Sequence, residues 1–120
     1  MSNAADFLQG YLAAWRTNDH DSIRALFAPD AVYRSRPHDP DPAVGHDRIV
    51  ALWDEEQDAP DEWSYEGAVD LETPDAAAIR GVTTYTDGAK ASIYDNLWLV
   101  RFDAEGRATE FTDWWVLRKV

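Results

Sequence analysis

The sequence contains no cysteine and few basic residues, and both scarcities exclude classes of function. The lack of cysteine excludes disulfide bonds, thiolate metal sites and a thiol nucleophile, and it favours a reducing cytoplasm. Eleven Lys and Arg against 23 Asp and Glu give a formal charge of −12. Such an acidic surface repels nucleic-acid phosphates and anionic lipid, so we expect neither as a partner.

Long apolar runs are also absent. No segment approaches the roughly 20 apolar residues that span a bilayer, and the N-terminus lacks the basic and apolar regions of a secretion signal. We therefore expect a cytoplasmic protein that does not enter a membrane. The 120 residues, of which 45% are hydrophobic, predict one domain over residues 1–120. Tryptophan is abundant, with six copies, and indicates an aromatic pocket or an interface.

The first half of the chain has a helical period. Residues 4–17 form an amphipathic pattern, and Asp19 is placed to cap a second, shorter helix that Pro29 ends. A strand is predicted over 31–36, a proline-rich loop over 36–45, and a third helix over 47–57.

From Glu62 onward the pattern alternates, which is typical of strands. Turn signals at Thr73-Pro74-Asp75, Asp87-Gly88 and Ala104-Glu105-Gly106 divide it into strands near 62–72, 76–86, 90–102 and 107–118. Consecutive hairpins predict an antiparallel meander. Helices preceding such a sheet predict an α+β fold with the helices on one face.

Three polar side chains interrupt the apolar faces of these strands. Asp113 shares its face with Phe111, Trp115 and Leu117, and Asn96 shares its face with Tyr94, Trp98, Val100 and Phe102. Arg80 shares a face with Ala78, Val82 and Thr84, where the alternation is weaker.

A carboxylate removed from water costs several kcal/mol unless it is paired, so Asp113 should find a partner or have a raised pKa. If Arg80 faces inward, it is the obvious partner, and Asn96 could donate to the same group. One interpretation is a buried structural ion pair. The other is a polar cluster at the bottom of an aromatic small-molecule pocket.

Alternation also divides the tryptophans. It predicts that Trp15, Trp53, Trp98 and Trp115 face a cavity, and that Trp63 and Trp114 lie on the outer face or at a subunit contact. The competing interpretation is a cavity filled by its own large side chains. The outer face, with Trp114 and Tyr85, could also bind another protein.

Several motifs together resemble one superfamily. The runs at 10–15, 18–21, 23–31 and 45–49, followed by Gly106-Arg107 and the segment 110–115, are similar to nuclear-transport-factor-2-like proteins, including the SnoaL-like polyketide cyclases. The resemblance covers nearly the whole chain. It implies a cone-shaped, strongly curved antiparallel sheet, a cystatin-like α+β barrel, with three N-terminal helices closing a cavity, commonly in a homodimer.

The resemblance to ketosteroid isomerase is incomplete. Tyr11 falls on the tyrosine that donates to the enolate oxygen, and Trp53 falls near another pocket tyrosine. The general-base aspartate falls at or next to Ser35, and the protonated oxyanion-hole aspartate falls on Trp98. Because that mechanism needs both carboxyl groups, we expect no ketosteroid isomerase activity.

The resemblance to SnoaL-like cyclases and limonene epoxide hydrolase implies that Asp113 is the acid/base aspartate of the last strand. The hydrolase also uses an arginine and a second aspartate, where this chain has Arg80 and Val82. Without the second carboxylate, epoxide hydrolysis is not favoured, whereas one aspartate suits enolisation or an aldol ring closure.

Other chemistries find little support. The spacing of His20, His38 and His46 matches no standard zinc pattern, Ser35 has no recognisable triad, and no glycine-rich phosphate loop is present. The acidic run from Asp54 to Asp61 is typical of a solvated helix end. We expect no metal and no cofactor.

The sequence therefore predicts a protein that binds a small hydrophobic, neutral molecule and catalyses acid/base chemistry. Catalytic roles are predicted for Asp113, Tyr11 and Arg80. Ligand contacts are predicted for Trp15, Tyr33, Ser35, Trp53, Asn96, Trp98, Phe111 and Trp115. The alternative is a non-catalytic binding or dimerisation module in which the polar cluster is structural.

Overall fold

The structure, a computed structural model, describes residues 2–87 and 90–118. Its helices are α1 (Asn3–Thr17), α2 (His20–Leu26) and α3 (His46–Glu55). Its strands are β1 (Phe27–Arg34), β2 (Ala43–Val44), β3 (Trp63–Thr73), β4 (Ala76–Asp87), β5 (Lys90–Phe102) and β6 (Ala108–Leu117). None of the helices in this described part is long and apolar enough to cross a membrane.

The helix ends follow from local hydrogen bonding. Ser2 caps α1 by accepting from Ala5 N, and the left-handed backbone of Asn18, with φ of 52°, ends it. Asp19 caps α2 by accepting from Ser22 N, as predicted. Helix α2 ends at Leu26, before the predicted stop at Pro29, because the chain enters β1 directly at Phe27.

The six strands form one curved, unclosed sheet in the order β2-β1-β6-β5-β4-β3. Strands β3 to β6 make the predicted antiparallel meander. The turn predicted at Asp87-Gly88 lies partly outside the described residues. With three helices against this sheet, the predicted α+β cone fold is confirmed.

Three expectations about the first strands and the loop after them are wrong. Strand β1 joins β6 in parallel, so the sheet is mixed rather than antiparallel. It also starts four residues before the predicted Ala31, with a register shift between Phe27 and Val32. Pro29, which has no N–H to donate, lies within that irregular stretch, so the strand continues past it. The proline-rich loop, predicted to lack regular structure, contributes the short strand β2.

The core lies between α1 and the inner face of the sheet. The ring of Phe7 lies 5.9 to 6.0 Å, between ring centroids, from those of Phe27, Phe102 and Phe111. Such tilted and edge-to-face aromatic contacts add to the free energy of burial. This packing fills one end of the fold and leaves the other end open.

Candidate functional site

A cavity of about 480 Å³ opens between α1, the end of α3 and the inner face of the sheet. Strands β4, β5 and β6 supply its floor, because their register brings inward-facing residues side by side. Asn96 pairs across the strands with Trp115, and Trp98 pairs with Asp113. Because about 480 Å³ remains open, the cavity is not filled by its own tryptophans.

Asp113 lies on the floor of this cavity in a short chain of hydrogen bonds. The Asn96 amide donates from Nδ2 to Asp113 Oδ1 at 3.1 Å. The Thr83 hydroxyl donates to Asn96 Oδ1 at 2.7 Å. Asn96 and Thr83 are both buried, so the chain runs from the interior of the sheet to a carboxyl group at the cavity surface.

Burial raises the pKa of Asp113 from its ordinary 3.8 to about 6. The hydrogen bond from Asn96 opposes this rise, as does the neighbouring Trp98 indole, whereas the charge of Glu56 adds to it. The Trp98 N–H nevertheless lacks hydrogen-bond geometry to any described residue, so the Asn96 amide is the polar partner of the carboxyl group. Asp113 can therefore gain and lose a proton near neutral pH.

Two tyrosines lie deeper in the same cavity. The hydroxyl oxygens of Tyr11, on α1, and Tyr33, on β1, are 2.9 Å apart and share a hydrogen bond. Burial raises the pKa of both phenols well above the usual value. Both are therefore neutral at physiological pH. One hydroxyl donates to the other, and the hydroxyl that accepts keeps its own O–H free to donate to an oxygen in the cavity.

Aromatic rings form the walls. The rings of Trp53 and Trp98 both contact the ring of Tyr11, with centroids 4.9 and 4.4 Å from its centroid. Trp15 stacks on Trp63 at 3.6 Å and donates from its indole to Asp58 at 3.3 Å. The N–H groups of Trp53 and Trp98 have no hydrogen-bond partner among the described residues.

Polar groups surround the opening. Glu56 and Asp58 follow α3, and Arg36 follows β1. Burial and the neighbouring carboxylates raise the pKa of Glu56. Trp115 donates from its indole to Ser35 O at 2.9 Å, which ties β6 to the segment after β1 at this edge.

The structure brings most of the predicted site residues together. Those that line the cavity are Tyr11, Trp15, Tyr33, Ser35, Trp53, Asn96, Trp98, Asp113 and Trp115. Phe111 does not reach it. It is fully buried beneath the floor, stacked on Tyr33 with centroids 4.7 Å apart.

The inward placement of Arg80 is wrong. Its guanidinium lies on the outer face of the sheet, 71% exposed, and donates to Asp70 at 2.9 Å. The odd-numbered residues of β4 face inward instead, including Ile79 and Thr83. Both faces of β4 carry small and β-branched side chains, so alternation alone could not choose between them.

Two further assignments are wrong, the first of them also on β4. Tyr85 was expected on the outer face but lines the cavity. Trp63, also expected outside, is buried against Trp15. The alternation of β5 is clearer than that of β4 and predicts that Tyr94 faces inward. Because Thr83 pairs with Tyr94 and Tyr85 pairs with Ser92, the register between the two strands places Tyr85 on the inner face as well.

Sequence reasoning missed several lining residues: Asn18, Arg36, Glu56, Gln57, Asp58, Thr83, Tyr85 and Tyr94. Glu56 and Asp58 belong to the acidic run that the sequence predicts to be a solvated helix end, and both border the opening. Their position depends on how α3 packs on the sheet, for which the sequence carries no local signal. In residues 2–87 and 90–118 no group of three or more His, Cys, Asp and Glu side chains could hold a metal ion.

The fold recurs in solved structures of low sequence identity. The RV0760c protein of Mycobacterium tuberculosis, crystallised with estradiol-17β-hemisuccinate, is 21% identical, with a TM-score of 0.76 over 97% of this chain and 95% of that one. An M. tuberculosis LEH-like epoxide hydrolase is 18% identical, with a TM-score of 0.69 over 95% and 83%.

A third similar structure is SalBIII, an epoxide hydrolase/cyclase-like enzyme in pyran ring formation in the polyether salinomycin. It is 13% identical, with a TM-score of 0.75 over 93% of this chain and 89% of that one. No curated protein is significantly similar in sequence. At these identities the structural similarity shows a shared fold.

The sequence itself matches a family model. The model is that of the SnoaL-like domain, and it matches residues 8–118. This match and the similar structures confirm the resemblance found in the sequence. The chain belongs to the SnoaL-like domain family, within the nuclear-transport-factor-2-like superfamily.

Proposed function

We propose that the cavity binds a hydrophobic, neutral organic molecule and that Asp113 performs acid/base chemistry on it without a cofactor. The observation that carries this proposal is a carboxyl group with a pKa of about 6 on the floor of an aromatic cavity of about 480 Å³. A cavity of this size and lining is typical of small-molecule sites. A pKa near the working pH suits a group that must both take and return a proton.

The polar groups fit enolisation of a carbonyl compound. The Asp113 carboxylate takes a proton from the carbon beside the carbonyl, and the electron pair moves to the oxygen. Tyr11, coupled to Tyr33, donates a hydrogen bond to that oxygen, where negative charge develops. Return of the proton at another carbon completes an isomerisation. Alternatively, the enolate carbon attacks a second carbonyl carbon and closes a ring, and protonated Asp113 returns its proton to the alkoxide oxygen that forms.

Arg80 has no part in this mechanism, because it lies on the opposite face of the sheet. Asn96 takes the role of a polar partner to the carboxylate. The epoxide hydrolase and cyclase-like enzymes among the similar structures support hydration or cyclisation as the reaction class. The steroid ester bound by RV0760c supports a large, mainly apolar ligand.

Two adjacent tryptophans provide a matched test of binding. Trp115 lines the cavity, and Trp114 lies on the outer face, yet their exposed fractions are similar, 44% and 47%. A thermal-shift screen of lactones, enones, terpenoids and aromatic polyketides should find compounds that raise the melting temperature of the wild type. Trp115→Ala should weaken their binding, and Trp114→Ala should not. A panel that never stabilises the wild type, or equal losses in both variants, would contradict the proposal.

Asp113→Asn separates catalysis from binding. A neutral ligand should still bind, because the amide preserves the shape of the carboxyl group. Turnover should fall by about 10² to 10⁴-fold, because the amide cannot accept and return a proton. If a bound ligand is turned over equally by both proteins, Asp113 is not the acid/base group, and a non-catalytic binding module becomes the better description.

We also propose that two copies pair through the outer face of the sheet. This face exposes Leu71, Leu99, Trp114 and Val116. Its arginines are paired within the same face, Arg80 with Asp70, Arg101 with Glu110 and Arg118 with Asp95. Because these arginines offset neighbouring carboxylates, two such faces can approach with less repulsion than the chain's net charge of −12 alone would produce.

A further inference from the structure

Thr83 is a buried polar residue that the proposed chemistry does not use directly. Its side chain is 2% exposed, and Asn96 is 7% exposed. Among the described residues these two form the buried polar pair of the core. A threonine hydroxyl in such a place must be hydrogen-bonded to offset its desolvation, and its partner here is the amide that contacts Asp113.

The two ends of the Asn96 amide have different partners. Its oxygen accepts from the Thr83 hydroxyl at 2.7 Å, and its nitrogen donates to Asp113 at 3.1 Å. If the amide were reversed, its oxygen would face the Asp113 carboxylate, and two acceptors would oppose each other. In the observed orientation, both acceptors of this series of hydrogen bonds, Asn96 Oδ1 and the Asp113 carboxylate, face a donor.

The hydroxyl and the amide also reinforce each other. Donation into the carbonyl oxygen of an amide polarises it and strengthens the bond that its N–H makes to a carboxylate. Without the hydroxyl, Asn96 Oδ1 would be buried without a partner, or the amide would turn its oxygen toward Asp113. Either outcome removes support from the ionised carboxyl group.

We propose that Thr83 is a positioning residue, whose hydroxyl holds the Asn96 amide with its N–H directed at Asp113 and so supports the carboxylate form of that group. Thr83 acts through Asn96 and has no assigned contact with the reacting atoms. The inference deepens the proposed function and rests on it only for the statement that Asp113 is the acid/base group.

Other titratable and charged groups face the same cavity, and the test must distinguish them from Asp113. They are Tyr11 from α1, Tyr33 from β1, Tyr85 from β4, Tyr94 from β5, Arg36 after β1, and Glu56 and Asp58 after α3. Tyr65, on β3, does not line the cavity, but it stacks on Trp98, and the charge of Asp113 adds to the rise of its pKa. The pKa values of Tyr11, Tyr33, Tyr65 and Tyr85 are raised by burial, so these phenols do not titrate near pH 6. The pKa of Glu56 is also raised by burial, so a measurement specific to Asp113 is needed.

The test follows the carboxyl ¹³C resonance of Asp113 by NMR as pH is varied, with Asp113→Asn used to assign it. Thr83→Val keeps the shape of the side chain and removes the hydroxyl, and Thr83→Ser keeps the hydroxyl. We expect Thr83→Val to raise the titration midpoint by about 0.5 to 1 pH unit, a three- to tenfold change in the acid constant. Thr83→Ser should restore the wild-type midpoint. An unchanged midpoint in folded Thr83→Val overturns the proposal, as does the same shift in both variants.

If Thr83→Val does not fold, a measurement on the wild type tests the Asn96–Asp113 contact on which the proposal depends. The Asn96 side-chain NH₂ resonances should titrate with the Asp113 midpoint, because the amide donates to that carboxyl group. Amide resonances that do not shift at this midpoint overturn the proposal. Neither experiment needs a ligand or turnover, so a chain that binds nothing would refute the proposed function and leave this result standing.

Discussion

Tyr65 lies flat against the backbone of Gly81 on the neighbouring strand. A Cβ added at Gly81 would overlap the Tyr65 ring, and one added at Gly67 would overlap both that ring and the Arg80 carbonyl oxygen. The opposite face of the ring is available to Trp98, on which it stacks at 4.8 Å with an 11° tilt. The two glycines therefore make room for a tyrosine that supports the tryptophan paired with Asp113.

Gly81→Ala should destabilise the protein, because Tyr65 must move and its stack on Trp98 is lost. We expect a loss of about 1 to 3 kcal/mol in the free energy of unfolding, measured with urea. The control is a double-mutant cycle with Tyr65→Ala. If Gly81→Ala costs as much without the Tyr65 ring as with it, the overlap is not the cause.

Asp113→Asn should change how stability depends on pH. Because burial raises the Asp113 pKa from 3.8 to about 6, the folded protein holds a proton between these values that the unfolded chain releases. The protonated Asp113 carboxyl group therefore contributes its full stabilisation of the folded state below about pH 4. This stabilisation falls as pH rises to about 6 and is lost above that pH. The rise of about two pH units corresponds to about 3 kcal/mol at most.

Urea unfolding of wild type and Asp113→Asn at pH 4 and pH 7.5 measures this effect. The stability of the variant relative to the wild type should increase by about 1 to 3 kcal/mol between the two pH values. Arg80→Ala is the control. It removes an exposed ion pair with Asp70 on the other face, so it should leave the difference between the two pH values unchanged. A parallel pH dependence in wild type and Asp113→Asn would contradict the raised pKa.

Tyr11 and Tyr33 should behave as a coupled pair. Tyr11→Phe or Tyr33→Phe alone leaves one buried hydroxyl without its partner at 2.9 Å, at a cost of about 1 to 3 kcal/mol. The double variant removes both hydroxyls and should cost less than the sum of the single changes. Chemical unfolding of all four proteins gives the coupling energy, and strictly additive losses would show that the hydrogen bond contributes nothing.

Trp114→Glu should separate the proposed homodimer. The charge would lie within the outer apolar face, next to the groove that Val116 and Leu97 line. Sedimentation equilibrium at several concentrations should show a dimer for the wild type and a monomer for the variant. Glu in place of Val44, which is 53% exposed at the sheet edge, is the control and should stay dimeric. If the wild type is monomeric, the proposed pairing of two copies through the outer face is wrong.

Much of the candidate site could be predicted where alternation was strong. Strands β5 and β6 carry bulky apolar residues on one face, so Asn96 and Asp113 stood out against Trp98 and Trp115. Strand β4 carries small residues on both faces, so its orientation was inverted, and Arg80 and Tyr85 were assigned to the wrong sides. A one-residue change of register moves every side chain of a strand to the other face.

Local period, capping and residue type in the sequence were enough to predict the three helices, a first strand, the four strands of the meander, the family and the aspartate on the apolar face. The parallel pairing of β1 with β6 and the open floor beside Trp98 became known from the three-dimensional structure alone. The same structure shows that Thr83, rather than Arg80, connects to Asp113 through Asn96. These relations depend on strand register and on which side chains meet across the sheet, and such non-local contacts leave no periodic signal in the chain.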